Sequence, residues 1–89
     1  MNVITYQQAT DVFSILNGRI SETDMLVLYY DKHEDKITAG YSYADELSLN
    51  NNRIVIPRNI YANMTEGIFN LYVNKLKEKI KLNKMKEDF

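Results

Sequence analysis

With 89 residues the chain has room for one domain, 1–89, which buries only roughly 60 to 65% of the surface its unfolded form exposes, so its core is expected to be thin. Eleven basic against twelve acidic residues leave a net charge of −1, which excludes a global pull toward phosphate backbones or anionic membranes. The absence of cysteine excludes disulfides, thiolate nucleophiles and cysteine-based zinc sites.

Near the start, Thr5-Tyr6-Gln7-Gln8 has the form of a capping box, with Ile4 and Ala9 as its hydrophobic staple. Tyr6, Ala9, Phe13 and Leu16 follow at helical spacing, flanked by Val12 and Ile15, and Asn17-Gly18 supplies a C-terminal cap. The spacing predicts a helix over 6–17.

Residues 25–30, Met-Leu-Val-Leu-Tyr-Tyr, are apolar throughout and too short to span a bilayer. They read as a strand, with Met25, Val27 and Tyr29 facing one way and Leu26, Leu28 and Tyr30 the other. Both faces therefore demand cover. A polar turn over 31–35 leads into 36–43, where Ile37, Ala39, Tyr41 and Tyr43 alternate with Thr38, Gly40 and Ser42, predicting a hairpin with one polar face. Gly40 marks a bulge or a close approach.

Residues 44–52 read as a loop, and 53–56 as a short strand stopped by Pro57. A turn or two of helix follows over 59–65, with Gly67 weakening continuity into a helix of roughly 30 Å over 66–86, frayed beyond about 82. On this helix Phe69, Tyr72, Val73, Leu76 and Ile80 make one stripe, while Ile68, Leu71, Leu82, Met85 and Phe89 gather almost opposite, interrupted by Lys75 and Glu78.

Helix, three strands and helix imply an α+β fold with a small three-stranded antiparallel sheet. A loop of about nine residues before 53–56 most simply places that strand beside 36–43 and leaves 25–30 at an edge. A wholly apolar edge strand invites pairing, so the segment 2–4, a longer crossing by 53–56 or another molecule is expected to cover it.

Chemistry is sparse. The sole histidine, His33, sits with Asp31, Glu34 and Asp35 at a hairpin tip, where donors seldom converge on a metal. Ser14, Ser21, Ser42 and Ser48 lack nucleophile-elbow glycines, and no glycine-rich loop precedes a helix. Neither enzyme activity nor a cofactor is expected. Tyr29, Tyr30, Tyr41 and Tyr43 would suit a stacking platform for bases, a protein-binding surface, or ordinary packing with hydroxyls at the rim.

The order of elements is similar to that of double-stranded RNA-binding domains, but the lysine-rich start of their final helix falls at Asn63-Met64-Thr65-Glu66, which is not basic. The same outline, with a broken last helix and acidic loops, is also similar to that of some small phage anti-CRISPR proteins. An outline alone does not fix function.

No leader-like apolar run opens the chain and no stretch is long enough for a membrane span, so a cytoplasmic chain is expected. The sequence points to a non-enzymatic interaction protein, of the kind carried by phages and mobile elements, that binds and inhibits another protein as a homodimer. Its partner surface is expected at Met25, Val27, Tyr29 and Tyr30 of the first long strand, Leu82 and Met85 of the last helix, and the acidic pair Asp45 and Glu46. The competing expectation is a nucleic-acid-binding regulator using Tyr41, Tyr43 and the basic last helix, where residues 66–89 carry six lysines against four acids.

Overall fold

The computed structural model describes residues 1–17, 25–42 and 52–87. Its elements run β1 (Asn2–Val3), α1 (Tyr6–Asn17), β2 (Met25–Asp31), β3 (Lys36–Ser42), β4 (Arg53–Ile56), α2 (Arg58–Ala62) and α3 (Glu66–Glu87). This is an α+β arrangement with a four-stranded mixed sheet.

Local chemistry sets the helix starts. Thr5 Oγ1 accepts a hydrogen bond from the Gln8 amide at 3.1 Å and Gln8 Oε1 accepts one from the Thr5 amide at 3.0 Å, closing the expected capping box. The break between the last two helices falls at residues 63–65, ahead of Gly67, which lies inside the first turn of α3. There the Thr65 hydroxyl accepts from the Ile68 amide at 3.2 Å and caps α3. Pro57, at φ −59°, ends β4 and starts α2, its carbonyl accepting from the amides of Ile60 and Tyr61.

The sheet corrects the expected strand order. Its sequence across is β1, β3, β2, β4, so β2 is central and β4 pairs with it, not with β3. β2 is antiparallel to both neighbours, whereas β1 runs parallel to β3, with Val3 opposite Ile37. The physical reason lies in β2 itself. A strand apolar on both faces gains most where both edges are paired, and the chain between β3 and β4 is long enough to cross two strand spacings, roughly 10 Å. The edges fall instead to short strands, a common protection against stray pairing.

Register fixes the faces. Leu26, Leu28 and Tyr30 stand with Tyr41, Ala39, Ile37, Ile56 and Ile54 on one side; Val27 and Tyr29 stand with Gly40, Thr38, Val55 and Arg53 on the other. The first side carries the core, where Ile4, Ala9 and Phe13 from the N-terminal part and Phe69, Val73 and Leu76 of α3 meet Leu26, Leu28, Ile37 and Ile56. Phe13 also packs edge-on against Tyr61, with ring centroids 5.4 Å apart. Tyr6 fixes the turn before α3 by donating to the Met64 carbonyl at 3.1 Å.

Candidate functional site

Among the described residues, Val27, Tyr29 and Tyr30 of β2 and Leu82 and Met85 of α3 do not share one surface. Val27 is only 2% exposed, and the edge position that made it a docking point does not exist. Tyr29 is half-buried on the same side of the sheet, away from the core. Tyr30 lies on the core side and donates to Asp35 Oδ1 at 2.6 Å. The side chain of Met25, together with Asp45, Glu46 and Tyr43, lies outside the described residues. No shared aromatic platform forms from Tyr29, Tyr30 and Tyr41, because the register puts Tyr29 on the opposite face from the other two.

What remains is the outer face of α3. Its core stripe, Phe69, Val73 and Leu76, is at most 5% exposed. On the opposite side Leu71, Leu82 and Met85 are 53%, 54% and 51% exposed, with half-buried Ile68 beside them. At 100° per residue, Leu71, Leu82 and Met85 fall within about 60° of one another, and the exposed charges of Lys75 and Glu78 divide the strip into two apolar ends. Lys75 Nζ sits 5.3 Å from the centroid of the Tyr72 ring.

A second feature lies on the flank of the same helix. Lys77, Ile80, Lys81 and Lys84 of α3 face Tyr30, Lys32, Asp35, Asn52 and Met1 across a cleft of about 500 Å³. Asp35 is its anionic group, held at φ +49° in the left-handed region that aspartate tolerates. Its carboxylate accepts from Tyr30 and lies 3.5 Å from the terminal ammonium. The Tyr30 hydrogen bond is the chief reason its pKa lies below the usual carboxylate value. The same bond raises the Tyr30 phenol. On Tyr29 it is burial first, then the charges of Asp31 and Glu34, that raise the phenol.

Positions 77, 81 and 84 of α3 share one flank at i, i+4, i+7, a signal present in the spacing, but their convergence with Lys32 depends on where the hairpin folds back. At the hairpin tip Asp31 Oδ1 accepts from the amides of His33 and Glu34, so its carboxylate serves the turn. Among the described residues no three histidine, aspartate or glutamate side chains are grouped as metal ligands, and no helix is long and apolar enough to cross a membrane.

Neither a known protein family, nor a curated protein, nor a solved structure matches the chain. The functional reading therefore rests on the residues themselves.

Proposed function

We propose that this chain is a single-domain, non-enzymatic interaction module that holds another polypeptide on the outer face of α3 and acts by occupying it. One observation carries the reading. Three large apolar side chains, each more than half exposed, line one side of a helix whose opposite side already serves the core. A domain with so thin a core gains little from leaving Leu71, Leu82 and Met85 in water, and an amphipathic partner helix laid along them would recover that surface. The test is a crosslinked pull-down with tagged protein. The wild type retains a polypeptide that the Leu82→Asp, Met85→Asp double variant loses; equal retention by both overturns the reading.

The lysine-lined cleft favours a second reading, a nucleic-acid-binding regulator. Four lysines, Lys32, Lys77, Lys81 and Lys84, line it. The aromatic half of that idea gains no support, since Tyr41 pairs with Leu26 at the end of the sheet far from Tyr30 and the cleft. Binding of single-stranded or duplex RNA or DNA that falls steeply between about 50 and 200 mM salt would favour this reading over the first.

A further inference from the structure

The strip on α3 is a heptad repeat. Ile68, Leu71, Lys75, Glu78, Leu82 and Met85 alternate in steps of three and four, the seam spacing of a two-stranded coiled coil, and all six lie on the side of α3 turned from the core. The repeat also reads the same from either end. About a midpoint between Leu76 and Lys77, Ile68 is the mirror position of Met85, Leu71 of Leu82, and Lys75 of Glu78. Apolar residues meet apolar residues, and a cation meets an anion.

We infer that the occupant of this face is a second copy of the chain, whose α3 lies antiparallel to the first about a two-fold axis at that midpoint. This rests on the reading of α3 as a protein-binding surface and adds the partner and the register. In this register two apolar layers, Ile68 on Met85 and Leu71 on Leu82, sit at each end. Two symmetric Lys75–Glu78 ion pairs occupy the middle, where Lys75 leaves its place beside Tyr72. The interface is isologous, as a two-fold dimer requires.

Charge selects this direction over its alternative. In a parallel, in-register pair Lys75 would face Lys75 and Glu78 would face Glu78, four like charges in the middle of the seam. In the antiparallel pair each Lys75 meets a Glu78 instead, and Lys81 and Lys84 stay at the cleft of their own copy. Opposed helix dipoles add to the preference. The seam is short, roughly 25 Å from Ile68 to Met85, which suits a reversible dimer in place of an obligate one.

Sedimentation equilibrium of the full chain tests the inference. The wild type is expected to dimerise with a dissociation constant in the micromolar range. Lys75→Glu alone and Glu78→Lys alone each weaken the dimer by about tenfold or more, because each creates two like-charge contacts, and the double exchange restores it. Register is read with cysteines, since the chain has none of its own. A short bis-maleimide joins Leu71→Cys protein to Leu82→Cys protein when the two are mixed, and joins neither to itself, because like positions lie about 16 Å apart along the axis.

A chain that stays monomeric at about 100 µM, well above the micromolar range expected of a seam this size, overturns the inference. So do charge variants that behave alike, or a Leu71→Cys variant that links to itself. If such a monomer still retains a foreign polypeptide that Leu82→Asp, Met85→Asp loses, the module reading survives and only the self-pairing fails. If the variant loses nothing, both fall. Circular dichroism of each variant separates lost pairing from lost folding.

Discussion

The ring of Tyr29 lies so close over Gly40 that a β-carbon on the glycine would stand 2.9 Å from Tyr29 Cε1. The two residues sit on neighbouring strands, one pleat apart, on the side of the sheet away from the core. Gly40 does not have a positive φ, so space and not backbone freedom is what the glycine supplies. The pairing of β2 with β3 runs unbroken through it, so of the two expected roles, bulge or close approach, the second holds.

Gly40→Ala therefore pushes the Tyr29 ring aside. The ring is the mobile end of a side chain, and the expected loss is about 1 kcal/mol, at the low end for overpacking. In a Tyr29→Ala background the same substitution becomes neutral or stabilising by about 0.5 kcal/mol, since only the unfolded-state entropy is changed. Urea unfolding of the four proteins in the double-mutant cycle checks this. Equal effects in both backgrounds would contradict it.

The capping box gives a second expectation. Thr5→Ala removes the acceptor for the Gln8 amide and is expected to cost about 1 kcal/mol, whereas Gln8→Ala, which frees an exposed amide to bind water, costs less. Chemical denaturation ranks the two. Equal losses, or none for Thr5→Ala, would show that the start of α1 is held by packing of Ile4 and Ala9 instead.

These two cases mark what was legible in the sequence. A capping box spans four residues and a helical stripe a dozen, so α1, the core side of α3 and the hairpin over β2 and β3 were readable from spacing alone. Strand order was not. The apolar run of β2 stated that both edges needed partners, but which segments supplied them depended on a crossing set by the whole fold. The two-residue β1 carries no periodic signal at all. The site was half legible. The outer strip of α3 was visible as an arc on a continuous helix, but that its residues stay exposed while the other stripe is buried depended on the packing of the whole fold. The lysine cleft joins residues far apart in sequence, and no local pattern announces Lys32 beside Lys84.

Two leucines of the same helix test the separation between core and outer face. Leu76 is fully buried and Leu82 is 54% exposed. Leu76→Ala leaves a cavity under the sheet and is expected to cost about 2 to 5 kcal/mol, a large share of the stability of so small a domain. Leu82→Ala, measured on dilute monomer, is expected within about 0.5 kcal/mol of the wild type. Thermal unfolding at low concentration checks the contrast, and comparable losses would mean that Leu82 is covered within the chain.

The Tyr30–Asp35 hydrogen bond, at 2.6 Å, predicts how the hairpin end responds to pH. The hydrogen bond from Tyr30 is the largest influence holding the Asp35 carboxyl below its ordinary value, so the ionised form is favoured on folding. That contribution is present above the unfolded carboxyl pKa, about 4, and is lost as the pH falls through the lower folded value. The same bond raises the Tyr30 phenol, so its share is complete below about pH 10 and is lost as the pH rises through the elevated folded value. Between those limits the bond is pH-independent. Tyr30→Phe should move the Asp35 carboxyl back up toward its ordinary value while leaving the φ of Asp35 in place. Asp35→Asn, which tolerates the same left-handed backbone, should let the Tyr30 phenol fall back. Side-chain carboxyl and tyrosine ring resonances followed by NMR titration read both shifts. An Asp35 titration unchanged in Tyr30→Phe would mean that the neighbouring ammonium groups, and not the phenol, hold the carboxylate.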